Sequence, residues 1–269
     1  MRAIEARTHS EVADAHVIYA DLLQQVGKSD RAKNAYQQSI TIDPSNLAVW
    51  QNIIQLHFEL NKVDSAAYYS GMALELFPNQ GVLYYFNGAA NLQEGNNEEA
   101  LYALEQGKKL SSSNLNLLNG FNSLLGDAYN NVKEYEKSDA AYEASLDFDP
   151  TNDGVLNNYS YFLALRKQKL DKAESMAKSV VDRNPEDVTF LDTYAWVLYV
   201  KGDYEEAKKV MEKAISIRGV EAVHYDHYGD ILYRLGEVEA AVEQWNIAQK
   251  MDPTIETLTK KITERTLDE

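Results

Sequence analysis

The chain has 269 residues, no cysteine, and 42 acidic against 26 basic side chains, for a net charge of −16. The missing thiols exclude disulfide scaffolds, cysteine-ligated zinc and thiol catalysis, and the acidic balance argues against nucleic acid or an anionic membrane as partner, since both reward Lys and Arg. A hydrophobic content of 45% suffices for packed helices, and 18 Tyr against 7 Phe suit surfaces packed on one side and wet on the other.

In chain order, Met1 to Arg7 lacks the apolar run of a signal peptide. Residues 1–12 are expected to be the tail of a preceding repeat helix, which makes the chain a fragment of something longer. No later apolar run reaches the length of a membrane span. From residue 13 onward the sequence copies itself. Ala32, Ala66, Ala100, Ser138, Ala173, Ala207 and Ala241 recur at spacings of 34, 34, 38, 35, 34 and 34, and a period of that length marks stacked helix–turn–helix units without a single core. The clearest copy runs from Val188 to Glu221, with a helix from Leu191, a turn at Lys201-Gly202-Asp203, and a second helix from Tyr204 to near Ile217. Units are expected at 13–46, 47–80, 81–118, 119–152, 153–187, 188–221 and 222–255, and residues 256–269 are expected to complete a capping helix. The five prolines (Pro44, Pro78, Pro150, Pro185 and Pro253) fall where one unit gives way to the next, because proline cannot continue a helix and restricts the residue before it. Ser45, Thr151, Glu186 and Thr254 follow four of them as expected polar caps.

Within the first helix of most units a large residue precedes a small one by four positions, as in His16/Ala20, Tyr84/Gly88, Asn122/Gly126, Leu156/Ser160, Leu191/Ala195 and Tyr225/Gly229. The small member lets two helix backbones approach. Ile54 takes the small position of the second unit and is expected to push its helices apart or tilt them. Ser111-Ser112-Ser113-Asn114 replaces a proline where the period stretches to 38, and Ser and Asn compete with helix formation, so a bend or hinge is expected there. The Arg166-Lys167-Gln168-Lys169 turn carries an extra residue. Ile255, Leu258 and Ile262 put an apolar stripe on the last short helix, as closing the end of an array requires.

In the last unit Tyr225, Tyr228-Gly229, Leu232, Ala241, Trp245, Ala248 and Pro253 stand at fixed offsets. By these residues the chain resembles the tetratricopeptide repeat family, and bacterial arrays of that kind in particular. The resemblance covers residues 13–255. It implies an all-α fold, a right-handed α-solenoid of about seven helix–turn–helix repeats with a C-terminal capping helix. It implies too that the first helix of each unit lines a concave groove. In this chain the inward positions are Gln51, Asn52, Gln55, Phe58, Tyr85 and Phe86, then Ser123, Asp127, Asn130, Asn157, Asn158 and Tyr161. Asp192, Thr193, Trp196, Tyr199, Asp226, His227, Asp230 and Tyr233 complete the set. Asp is the main charge there and Arg234 nearly the only cation. Such a groove suits a protein or peptide that is basic and apolar. Trp196 stands off the family's packing position, so it either anchors a partner or covers a neighbouring helix.

Little else points to chemistry. Gly27-Lys28-Ser29 ends like a phosphate loop, but it lacks the upstream glycine and strand and falls at a turn within a unit. His224 and His227 share a helix face, yet no third ligand is evident for a metal. The expectation is that His224 packs at the unit boundary and His227 faces solvent, with neither metal nor cofactor. No acid–base pair stands out among the 42 carboxylates, and Gly-x-Ser-x-Gly and His-Glu-x-x-His are absent, so the chain reads as a non-enzyme. The Lys/Asn/Arg clamp that some members of the resembled family use on chaperone tails has no counterpart, since Val17 and Asp21 stand at two of its places. Two roles stay open. One is an interaction scaffold; the other is a structural or oligomerisation arm of a larger envelope or regulatory protein, with a homo-oligomer allowed. The abundant Asn and degenerate repeats lean toward a bacterial periplasm or envelope over the cytoplasm.

Overall fold

Small residues at one helical position and prolines at another leave the backbone few choices, and the helices begin and end accordingly. The computed structural model describes residues 2–267, with the side chains of 2–7 and 9 excepted. The apolar content of Met1 to Arg7 and the last two residues of the expected cap therefore lie outside the described part. Among the described residues every regular element is helical. The chain forms two compact units, Met1–Phe148 and Asp149–Glu269.

The first unit holds α1 (Arg2–Gln25), α2 (Ser29–Ile42), α3 (Leu47–Glu59), α4 (Val63–Leu76), α5 (Gly81–Gln93), α6 (Asn97–Leu110), α7 (Leu115–Asn131) and α8 (Tyr135–Phe148). α1 is unbroken, so the expected tail over 1–12 and the residues after it share one helix. Ala32, Ala66, Ala100 and Ser138 are all fully buried, where their lack of bulk lets neighbouring helices touch. Gly126 shows the limit of that approach. A Cβ on Gly126 would sit 2.5 Å from the ring of Tyr142, so the α8 ring lies directly on the α7 backbone. Ile54, expected to wedge helices apart, is itself fully buried beside Ile53 and Leu56.

The expected hinge at 111–114 is instead tied down. Ser111 is 4% exposed and donates to the Gly107 carbonyl at 2.8 Å, while Asn114 caps α7 by accepting from the Leu117 amide at 3.1 Å. The added length goes into the helix, since α7 has 17 residues where α3 and α5 have 13. The division between compact units comes after Phe148 instead.

The second unit holds α9 (Asp153–Leu165), α10 (Leu170–Arg183), α11 (Val188–Lys201), α12 (Tyr204–Ile215), α13 (Ala222–Arg234), α14 (Val238–Met251) and α15 (Glu256–Glu264). Ala173, Ala207 and Ala241 are again fully buried, and a Cβ on Gly229 would lie 2.3 Å from the Trp245 indole nitrogen. The extra residue of the α9–α10 turn is absorbed by left-handed backbone at Lys167 and Lys169, with φ of 54° and 46°.

The turns correct one expectation in both units. Ser45, Thr151 and Thr254 do not cap helices. Ser45 donates its amide and hydroxyl to Asp43 at 2.9 and 2.6 Å, Thr151 does so to Asp149 at 3.0 and 2.9 Å, and Thr254 to Asp252 at 2.9 and 2.6 Å. The following proline favours extended backbone at each Asp, and a short carboxylate can then reach the amide two residues on. Capping passes to the next polar side chain. Asn46, Asn152 and Asp187 accept from Ala48, Val155 and Phe190 at 3.1 Å each.

Candidate functional site

In the second unit α11 packs against both α9 and α13, and their facing residues line an open cavity of about 290 Å³. Asn157 and Tyr161 come from α9; Thr189, Asp192 and Thr193 from α11; His224 and His227 from α13. Gly219 and Glu221, in the segment leading into α13, lie at its rim. Five residues read from the sequence as groove-lining thus meet around one cavity: Asn157, Tyr161, Asp192, Thr193 and His227.

The two histidines have different duties. His224 accepts the Glu221 amide at its Nδ1 at 2.8 Å, which closes a capping box with the Glu221 side chain at the start of α13. Its proton therefore sits on Nε2. His227, expected to face solvent, is 8% exposed. Its Nδ1 meets both Asp192 oxygens, at 2.9 and 3.0 Å, and its ring stacks on Trp196 with centroids 4.2 Å apart. Burial pulls the His227 pKa down, but Asp192 first and then Asp230 and Asp226 overcome that pull and hold it above the ordinary histidine value. The solvent-facing expectation failed because the neighbouring helix, invisible to a single-helix reading, supplies a buried carboxylate.

A second pairing repeats this register one helix later. Lys261 on α15 donates to Asp226 at 2.7 Å and to Asp230 at 2.7 and 2.9 Å, and its ammonium lies 5.8 Å from the Trp245 ring centre. Asp230 also accepts the Trp245 indole proton at 2.9 Å. Burial disfavours the charged lysine, yet the two carboxylates raise its pKa above the usual lysine range. Burial, with Asp226 beside it, raises that of Asp230 against the pull of Lys261. Asp226 and Asp230, read from the sequence as groove-lining, instead secure the capping helix. Asp192 is the fifth residue of α11 and His227 the sixth of α13; Asp226 and Lys261 hold the same places on α13 and α15. Each pair is 35 residues apart.

The remaining expected groove residues are distributed as follows. Trp196 is half-buried and stacks on Tyr199 at 4.8 Å, and its indole nitrogen is buried without an acceptor. Tyr199 accepts from Arg234 Nε at 3.4 Å. Tyr233 leans on Trp245 at 5.9 Å, its hydroxyl 3.2 Å from that of Thr266. Asn157 donates to Asn158 at 3.3 Å. In the first unit, Gln51 is half-buried and Asn52 donates to the Tyr36 hydroxyl at 3.3 Å. Gln55 is exposed and donates to Glu59 at 3.4 Å. Phe58, Phe86, Tyr85 and Phe121 form a chain of ring contacts 5.6 to 6.2 Å apart. Ser123 is half-buried, and the Oδ1 of Asn130 is buried without a donor. Asp127 accepts from Tyr142 as Asp21 does from Tyr36. These two pairs and Asp230–Trp245 share a spacing of 15 residues, so part of the acidity read as partner-facing hooks the packing aromatic of the second helix. That spacing was readable; its meaning needed the fold. Lys261 was missed altogether, because it lies beyond the repeats that were compared. Among the described residues no three His, Asp or Glu side chains group as metal ligands.

Known proteins share this architecture. One tetratricopeptide repeat model matches residues 13–46 and 121–152, and a second matches 163–220. A TPR repeat-containing protein of Methanocaldococcus jannaschii is 27% identical over 277 residues, covering 94% of this chain, which spans 46% of that relative's length. A tetratricopeptide repeat protein of Parabacteroides merdae superposes with a TM-score of 0.75 at 16% identity, over 95% of this chain and 99% of that one. YrrB, described as a TPR protein with an unusual peptide-binding site, superposes at 0.52 with 18% identity, over 71% of this chain and 95% of its own.

Proposed function

This chain is a tetratricopeptide repeat protein with an all-α solenoid fold, and we propose that it is a binding module whose partner lies along α9, α11 and α13. Repeats of this family generally mediate protein–protein interaction, and the fold is typically a non-enzymatic scaffold. The observation that carries the reading is the 290 Å³ cavity, to which three successive first helices each send hydrogen-bonding side chains. Amides and hydroxyls from Asn157, Tyr161, Thr189 and Thr193 can serve a peptide backbone, and the half-buried Trp196 and Tyr199 beside them offer apolar contact. YrrB's described peptide-binding site supports the same use. Neither Lys nor Arg lines the cavity, whereas Asp192 and Glu221 do, which favours a basic and apolar segment. Asn158, Tyr161, Trp196 and Tyr199 extend the surface along the second unit, and Gln51, Gln55, Phe58, Tyr85 and Phe86 offer a comparable face on the first.

Titration calorimetry of the whole chain against basic–apolar and acidic–apolar peptide pools tests this. Basic pools should bind, and the Asn157→Ala, Tyr161→Ala double variant should weaken binding at least about tenfold, as loss of central contacts does. Binding confined to acidic pools would overturn it. The alternative of an oligomerisation arm has one observation in its favour, the exposed apolar residues Val12, Ile18, Tyr19 and Leu22 along α1; a concentration-independent monomer in light scattering would remove it. No helix among the described residues is long and apolar enough to cross a membrane.

A further inference from the structure

Of the three acidic groove residues on α11 and α13, two are matched by a cation that stays charged at any ordinary pH, since Lys261 serves Asp226 and Asp230. Asp192 alone is matched by a group that can give its charge away. We propose that the cavity accepts one lysine or arginine side chain of a bound segment at Asp192, in exchange for the proton on His227. The inference rests on α9, α11 and α13 being the binding face.

The chain carries its own template for the bound state. On α15, Lys261 places an ammonium on the carboxylates of Asp226 and Asp230 beside the Trp245 ring. One repeat earlier, His227 holds the place of Lys261 against Asp192 and stacks on Trp196, which stands where Asp230 does on the next first helix, and a cavity adjoins the pair. In the free protein His227 spreads its Nδ1 contact over both Asp192 oxygens, at 2.9 and 3.0 Å. A neutral His227 bearing its hydrogen on Nδ1 can keep one of these contacts while Nε2 releases its proton to water. The other oxygen then accepts the incoming ammonium or guanidinium. One positive charge enters and one leaves, so the buried site keeps its balance.

The surroundings of His227 favour this exchange over titration of another group. From α9, Tyr161 lines the same cavity, its hydroxyl held in its neutral form by burial and by Asp192. Asp192 and Tyr199 come from α11, and Tyr199 is likewise kept neutral by burial, against the opposing pull of Arg234. α13 adds Asp226, Asp230, Arg234 and a His224 whose Nδ1 is occupied by the Glu221 amide. α15 adds Lys261, and the preceding turn adds Glu221 at the rim. On α12, Glu212 takes the Tyr228 hydroxyl at 3.2 Å. The carboxylates around His227 hold its pKa above the ordinary histidine value, which favours the presence of the proton that the exchange releases.

The test uses the full chain and three alanine–leucine peptides that differ only in a central lysine, norleucine or glutamate. Calorimetry is run between pH 5.5 and 8 in two buffers of different ionisation heat. The lysine peptide should bind with about one proton released, and its affinity should rise by up to about tenfold per pH unit until His227 is neutral in the free protein, as proton linkage requires. Asp192→Asn should abolish the preference for lysine over norleucine. His227→Gln should keep that preference but lose both the released proton and the pH slope, and it serves as the check if Asp192→Asn does not fold. Lysine binding with no proton released and no pH slope would overturn the exchange and leave the binding face standing, as would lysine and norleucine peptides binding alike. Preference for the glutamate peptide, or no binding by any of the three, would remove the binding face itself and the exchange with it.

Discussion

Each unit of this chain buries histidine on a first helix, and His57 and His227 are handled in opposite ways. His57, on α3 of the first unit, is 3% exposed, with neither ring nitrogen hydrogen-bonded and its ring stacked on Tyr69 at 5.0 Å. Burial, with Lys33 and Lys62 adding to it, lowers its pKa below the ordinary 6.5. His227, on α13 of the second unit, is nearly as buried, yet Asp192 sits against it and its pKa is raised. The first site is a ring used as packing; the second is a ring held against a carboxylate at the edge of a cavity. Burial alone therefore does not decide a histidine's role. The residue that the next first helix presents to it does.

The sharpest way to break the second unit's arrangement is to remove a permanent cation. Lys261→Met leaves Asp226 and Asp230 without their partner in a buried site, and losing one side of such a group costs about 3–5 kcal/mol. Amide hydrogen exchange should show faster opening in α13–α15 and none in α1–α6. A loss below about 1 kcal/mol, within the range of exposed pairs, would mean that both carboxylates reach water.

Packing, by contrast, should treat the units alike. Gly126→Ala pushes on Tyr142 and Gly229→Ala on Trp245, and overpacking a close helix contact costs about 1–3 kcal/mol. Denaturant unfolding of the two variants should show similar losses. Stability unchanged in either would show that its aromatic ring moves aside freely.

Acidification should separate the units. Below about pH 6.5 the unfolded histidine takes up a proton that folded His57 resists, so the first unit loses stability as pH falls. The contribution of His227 has the opposite sign. It is fully present below about 6.5 and fades as pH rises through the raised folded value. Hydrogen exchange at pH 7.5 and 5.5 should therefore show α3–α4 loosening and α11–α13 tightening on acidification. His57→Phe should remove the first response and stabilise its unit by about 1 kcal/mol, because an unsatisfied buried polar group disappears. The same sign of change in both units would refute the contrast.

How far these features could be read from residues alone follows from the range over which each acts. The alanine ladder at Ala32, Ala66 and Ala100 places α2, α4 and α6, and Pro44 and Pro78 mark the ends of α2 and α4, because helix packing and proline stereochemistry are local. The Ser111–Asn114 hinge was misread, since composition favours a loop whereas a buried hydroxyl and an asparagine cap tie the segment down. Among the groove candidates, Asn157, Tyr161, Asp192 and His227 do converge on one cavity. Asp226 and Asp230 were visible as charges, but their partner Lys261 was not visible as a partner.

Residue order by itself determined that this protein is a helical repeat, where its helices fall and that it carries no thiol chemistry, because periodicity, proline and composition need no neighbour to take effect. Only the tertiary structure decided which carboxylates are already matched. Asp192 to His227 and Asp226 to Lys261 are joined across 35 residues, and that distance closes only when one repeat is stacked on the next.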